Sequence, residues 1–269
     1  MSPLLPSAPF HATTAVNRCI YCNAAPGPSL LSMEHVVPES LGGRIYLRKA
    51  SCKGCAKLTS GDETTNIAGI FAGVRAHFKM KGSKSRRSRT RIPVTVHHHS
   101  GHDTQQSVEA SQLKNFSVAI GFLGPTILTG ADTPLAVRLD SAYLNPTAPG
   151  VGAAVSTTIE RIDTPAFARM LAKIGHSYAV KMLGLEGFSP GLQRFIRRLE
   201  EPSPNGFIGT EQGQPIETAA TYQIGLSVEP SFDGREMIVC SIRFFPSTWL
   251  PTYRVVVGLS LPSSLFPPA

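Results

Sequence analysis

Two cysteine pairs and one acid–imidazole neighbour lie close together near the start of this chain. Cys19 and Cys22 form one C-x-x-C, Cys52 and Cys55 form another, and SMEHVVPESLGG (residues 32–43) lies between them. Two such pairs supply four thiolates, the ligand set of a closed structural zinc site. A Zn²⁺ saturated by four sulfurs has no open position for water or substrate, so its work is to hold the chain together. Reactive chemistry falls instead to Glu34 and His35. A neutral imidazole, with an ordinary pKa of about 6.5, accepts a proton near neutral pH. A carboxylate beside it can hold a cation.

These groups need elements to position them. The gap between the cysteine pairs is 29 residues, longer than the roughly 15–20 of the simplest two-pair motif. A hairpin is expected in that gap, with a helix beginning near Cys52 packed behind it. Neighbours on a regular strand face opposite sides, so Glu34 and His35 can act together only if the chain bends there. Pro38 disfavours helix at Val37 and agrees with such a bend. Gly42 and Gly43 let the backbone turn where side chains would obstruct, at a place a phosphate could approach.

In that order, CIYC, EHVVPESLGG and SCKGC resemble the HNH endonucleases, which have the ββα-metal fold. The resemblance spans residues 17–66. It implies a metal-dependent nuclease that hydrolyses phosphodiester bonds, with His35 as general base and Glu34 as the acid on a catalytic divalent ion such as Mg²⁺. Two positions depart from the family pattern. RIYLRKASC lacks the asparagine that many members carry before the second cysteine pair, and Ala56 stands where many have a histidine or asparagine ligand. The second ligand is therefore open among Glu63, Asp62 and Asn66, with Glu63 preferred. Glu63 lies seven residues beyond Ala56 and nearly on the same helical face. Against it stand about 10 Å of rise and Gly61, which could end the helix first.

Charge is unevenly spread. Residues 1–100 hold 14 Lys and Arg against 4 Asp and Glu, whereas residues 101–269 hold 12 against 14. The basic excess points to a polyanion partner, and beside a nuclease-like unit that partner is nucleic acid, with DNA preferred. KMKGSKSRRSRTR (residues 79–91) carries Lys79, Lys81, Lys84, Arg86, Arg87, Arg89 and Arg91 with no acid among them. Such a block cannot build a core and reads as a loop or arm that holds phosphates.

The fold class expected is α+β: a small zinc-stapled ββα-metal unit, then an α+β domain with a long helix and C-terminal antiparallel strands. The divisions read as a flexible lead-in over 1–16, the HNH-like unit over 17–78, the arm over 79–91 and the second domain over 92–269. TPAFARMLAKIGHSYAVKMLGLEGF (164–188) is the clearest helix, capped by Thr164, with Phe167, Leu171, Ile174, Tyr178 and Met182 at helical spacing. A second, basic helix is expected in PGLQRFIRRLEE (190–201). IPVTVHHH reads as a strand running into a turn, and strands are expected in LAVRLD, TYQIGLSVEP, REMIVCSIRFF and TYRVVVGLSL. Cys240 reads as a plain core cysteine, His176 as a packed or partly exposed helix residue, and His97, His98, His99 and His102 as an exposed turn. No run approaches the roughly 20 apolar residues of a membrane helix, and the N-terminus lacks the pattern of a signal peptide. A cytoplasmic protein is expected, where paired cysteines mean metal more often than disulfide. Two functions stay open at this point: a DNA-cutting nuclease, and a zinc-containing nucleic-acid-binding module that has lost its active site.

Overall fold

An antiparallel hairpin followed at once by a helix organises the N-terminal part. The structure, a computed structural model, describes residues 15–25, 30–68, 70–80, 91–97, 103–109, 116–131, 137–143, 155–156 and 163–261. Strand β1 (Ser32–His35) pairs with β2 (Tyr46–Ser51), placing Glu34 opposite Leu47 and His35 opposite Tyr46. Helix α1 (Lys53–Ala68) starts one residue after Cys52, as expected. It runs through Gly61 without ending. Its buried face is polar: Cys55, Thr59, Asp62 and Asn66 recur at helical spacing. A short α2 (Ala72–His77) follows.

The middle of the chain supplies β3 (Arg91–His97), β4 (Asp103–Glu109), β5 (Phe116–Gly121), α3 (Thr126–Thr129), β6 (Arg138–Tyr143) and β7 (Val155–Ser156). Among the described residues these strands form one sheet of order β4-β3-β7 and one β5-β6 pair.

Helix α4 (Thr164–Leu183) is the spine of the latter half. After it come β8 (Phe188–Pro190), α5 (Gln193–Ile196), β9 (Ile208–Glu211), β10 (Tyr222–Pro230), β11 (Glu236–Phe244) and β12 (Thr252–Ser260). The sheet runs β10-β11-β12, with β8 and β9 both paired to β12, and every pairing is antiparallel. Gly175 lets α4 lie close on this sheet, since a Cβ there would stand 2.8 Å from a Val257 methyl.

The α+β class, the long helix and the three C-terminal strands agree with the sequence reading. Three details differ. Asp163, not Thr164, caps α4, because its carboxylate accepts the Ala166 N–H at 2.8 Å. The helix stops at Leu183, where Gly184 takes a φ of 78°, and Phe188 already belongs to β8. The second basic helix is only the single turn of α5, and Arg198 just beyond it has a φ of 59°. Apolar residues from the hairpin, α4 and the sheet pack into one hydrophobic cluster that includes Ile20, Val36, Leu47, Phe167, Leu171, Cys240 and Val255. In α4 the residues from Ala166 to Val180 are all buried, Arg169, Lys173 and His176 among them. An apolar stripe alone does not explain that; α1 and the hairpin cover the face that the sheet leaves open.

Candidate functional site

The four expected cysteines converge. The sulfurs of Cys19, Cys22, Cys52 and Cys55 all lie within 4.8 Å of one another, with Cys22 and Cys52 3.7 Å apart. Four sulfurs at about 2.3 Å from a tetrahedral zinc are about 3.8 Å apart, so the cluster fits one Zn²⁺. Each pair sits on a tight local structure. The first is a turn in which the Asn23 N–H reaches the Cys19 carbonyl at 2.8 Å. The second spans the start of α1, where the Ala56 N–H reaches the Cys52 carbonyl at 2.9 Å. Hydrogen bonding from Cys55 holds the Cys19 thiol down to about 4, while the same contact pushes Cys55 up. Crowded sulfurs of this kind call for a cation.

The knuckle is tied to the latter half of the chain. The Ile20 carbonyl accepts from His176 Nε2 and from Gln193 Nε2, each at 2.8 Å. Burial pushes His176 down to about 4, so near neutral pH its ring is uncharged and Nε2 can carry the proton that it donates. The Tyr21 hydroxyl meets Ser177 Oγ at 2.9 Å. Burial, then the charge of Glu34, push Tyr21 well above its ordinary value, so it stays a protonated phenol.

Glu34 and His35 occupy consecutive places on β1 with no irregularity between them; the break in register falls between Ser32 and Glu34. Alternation therefore sends them to opposite faces. Glu34 shares its face with Leu47 and is buried. His35 shares its face with Tyr46, ring centroids 6.3 Å apart. Its ring is half-buried, and Nδ1 is enclosed without a hydrogen-bond partner among the described residues. The chain bends only after the strand, at Val36 and Val37. Gly42 and Gly43 serve the turn that follows. Gly42 has a φ of 85° and lies against Thr221, and a Cβ on Gly43 would strike the Val37 carbonyl.

Glu34 and Glu63 meet on Lys173. Its Nζ lies 2.7 Å from Glu34 Oε1 and 2.8 Å from Glu63 Oε1. The same ammonium donates to the backbone carbonyl of His35 and reaches that of Val36 at 3.3 Å. Burial alone would lower the Lys173 pKa, but the charges of Glu34 and Glu63 outweigh it and push it up, so the group is a full cation.

Residues 19–60 match the HNH endonuclease family. The match supports a nuclease type of function for the HNH segment, which runs from the first zinc-site cysteine into α1 and stops short of Asp62, Glu63 and Lys173. No curated protein and no solved structure matches the chain.

The HNH resemblance asks for a divalent ion on Glu34 and a second ligand, with Glu63 preferred. The structure brings these two carboxylates together, but around an ammonium. A divalent ion set about 4 Å from that ammonium would be repelled by about 8 kcal/mol at an effective dielectric constant near 20. The pair does not fit such an ion while Lys173 keeps its place.

Asp62 and Asn66, the other candidates, are already committed. Asp62 is buried and takes Arg169 at both carboxylate oxygens, 3.0 and 3.1 Å, with Arg198 at 2.9 Å. Asn66 donates to the Asp62 carbonyl at 2.7 Å. Asp62 thus locks α1 to α4 and to the segment after α5. Replacing Asp62 by alanine strands the buried Arg169 guanidinium and is expected to cost about 3–5 kcal/mol of stability. Urea unfolding with zinc content monitored checks this; an unchanged midpoint would show that the lock is dispensable.

Of the basic block beside the HNH segment, Lys79 is exposed and Arg91 opens β3. Lys81, Lys84, Arg86, Arg87 and Arg89 lie outside the described residues, as do His98, His99 and His102. No described helix is long and apolar enough to cross a membrane. Sequence reasoning missed Lys173 and the tie from His176 and Gln193 to the knuckle. One signal was present: Arg169, Lys173 and His176 form a polar stripe at helical spacing on an otherwise apolar helix.

Proposed function

We propose that the protein is a nuclease of the HNH type that hydrolyses phosphodiester bonds of nucleic acid, DNA in the first place, with His35 as general base. The observation that carries this reading is the half-buried His35 imidazole on the hairpin of the segment that matches the HNH endonucleases, with no hydrogen bond to its ring from any described residue. A neutral imidazole in this position takes the proton from an attacking water. The strand that presents it pairs with β2, whose Ala50 carbonyl accepts the knuckle's Ile20 N–H at 2.9 Å, and its His35 carbonyl accepts from Lys173, which fixes the ring's origin on the backbone. Glu34 and Glu63, held on that ammonium, carry no divalent ion in this reading. The catalytic unit is residues 17–78, and residues 92–269 supply the helix that backs it. The protein works in the cytoplasm, where its thiols stay reduced for zinc.

The arm over residues 79–91 holds the phosphate backbone. Changing Arg86, Arg87 and Arg89 to glutamine is expected to weaken binding of all DNA sequences alike. It should also make the salt dependence shallower by about 0.9 in log–log slope for each phosphate that is no longer neutralised. Titrations at several salt concentrations check this, and an unchanged slope would leave the arm a solvated loop.

The test of the main reading is incubation of zinc-loaded protein with plasmid DNA, with and without Mg²⁺ or Mn²⁺, beside a His35→Ala control. A second reading, a zinc-containing module that binds nucleic acid without cutting it, is favoured by the charge balance that Lys173 brings to Glu34 and Glu63 and by Ala56. DNA retained but never cut, under any of these ions, would decide for it.

A further inference from the structure

We infer that Lys173 is the built-in cation of this site: its ammonium holds the place between Glu34 and Glu63 that a divalent ion would otherwise take, and so closes the carboxylate pair to metal. Four oxygens surround Nζ, from Glu34, Glu63 and the carbonyls of His35 and Val36. They come from β1, from the bend just after it and from α1, so the ammonium is coordinated from several elements as an ion would be. The side chain is almost wholly enclosed, at 2% exposure, while those of Glu34 and Glu63 keep 7% and 19%. A lysine on a solvated surface forms loose ion pairs worth little; this one is buried between two acids, in ion-pair contact with both, and its positive charge repels a second cation from the same place.

The helix that carries Lys173 cannot easily withdraw it. Arg169, one turn earlier, is held on Asp62 at both oxygens, and His176, one turn later, is held on the Ile20 carbonyl. Both anchors bind α4 to the HNH unit on either side of the ammonium. Displacing Nζ would therefore mean reorganising the side chain within a packed setting. Lys173 is in this sense a positioning residue: it sets the two acids and the His35 backbone and touches no reacting atom.

The inference rests on the proposed function only for the statement that Glu34 and Glu63 hold no divalent ion; it is tested without nucleic acid, so its failure leaves His35 as general base still to be tested by cleavage. The probe is Mn²⁺ alone, with zinc-saturated full-length protein and no nucleic acid, followed by electron paramagnetic resonance of free Mn²⁺. The parent is expected to show the same Mn²⁺ binding as Glu34→Gln and Glu63→Gln variants, because neither acid is open to the ion. Lys173→Met is expected to gain one Mn²⁺ site, abolished again when Glu34→Gln and Glu63→Gln are added, and a Tm that rises with Mn²⁺ only while the two acids are present. Binding by the parent that disappears in Glu34→Gln would overturn the inference, as would a folded Lys173→Met protein that gains no site. If Lys173→Met does not fold, the comparison of the parent with Glu34→Gln and Glu63→Gln still decides the matter.

Discussion

Replacing His35 by alanine is expected to reduce DNA cleavage by about 10²–10⁴-fold, or about 3–5 kcal/mol of barrier. Zinc content, thermal stability and DNA affinity should stay near those of the parent. The reason lies in how His35 is held. Its ring is half-buried and no described side chain takes a hydrogen bond from it or gives one to it, so removing the ring leaves no partner stranded. The hydrogen bond that does matter to the fold is made by its backbone carbonyl, which receives Lys173 and survives in alanine. A His35→Ala protein that cuts at the parental rate would falsify the assignment.

Loss of the zinc site should have the largest effect on the fold. One tightly held Zn²⁺ per chain is expected, and Cys52→Ser should lose it and unfold the hairpin and the knuckle. Structural zinc in small units is worth roughly 10–16 kcal/mol near pH 7, comparable with or larger than the about 5–15 kcal/mol that holds a typical domain together. The damage should spread further than residues 17–66. Ile20, Tyr21 and Val36 belong to the same core as α4 and the C-terminal sheet, and His176, Ser177 and Gln193 all lean on the knuckle. Elemental analysis, circular dichroism and limited proteolysis of Cys52→Ser beside the parent measure each part. Zinc-free parent protein with an intact fold would sink the prediction.

Spacing along the chain made much of this protein legible. Cys19, Cys22, Cys52 and Cys55 announce their cluster because C-x-x-C is a local geometry: two residues between sulfurs make a turn wherever the pair occurs. Helix α4 and strands β10, β11 and β12 are legible for the same kind of reason, since apolar residues recur at the period of the element that must bury them. The candidate base followed from motif order, with Glu34 and His35 set between the two pairs. Which face each takes did not follow. The register β1 adopts against β2 decided it, keeping Glu34 inside with Leu47 and His35 beside Tyr46.

The tertiary structure alone decided what Glu34 and Glu63 hold. Lys173 lies 138 residues beyond His35, and no periodicity links a lysine on one helix to acids on a strand and another helix. In the sequence its charge looks like an interruption of an apolar helix. It becomes a partner only because the sheet takes one face of α4, which turns the face carrying Arg169, Lys173 and His176 towards α1 and the hairpin. Short-range structure is set by neighbours a few bonds away. The pairing of buried charges is set by which surfaces exclude water together, because an ammonium taken out of water must find its counter-charges wherever the packed chain has placed them.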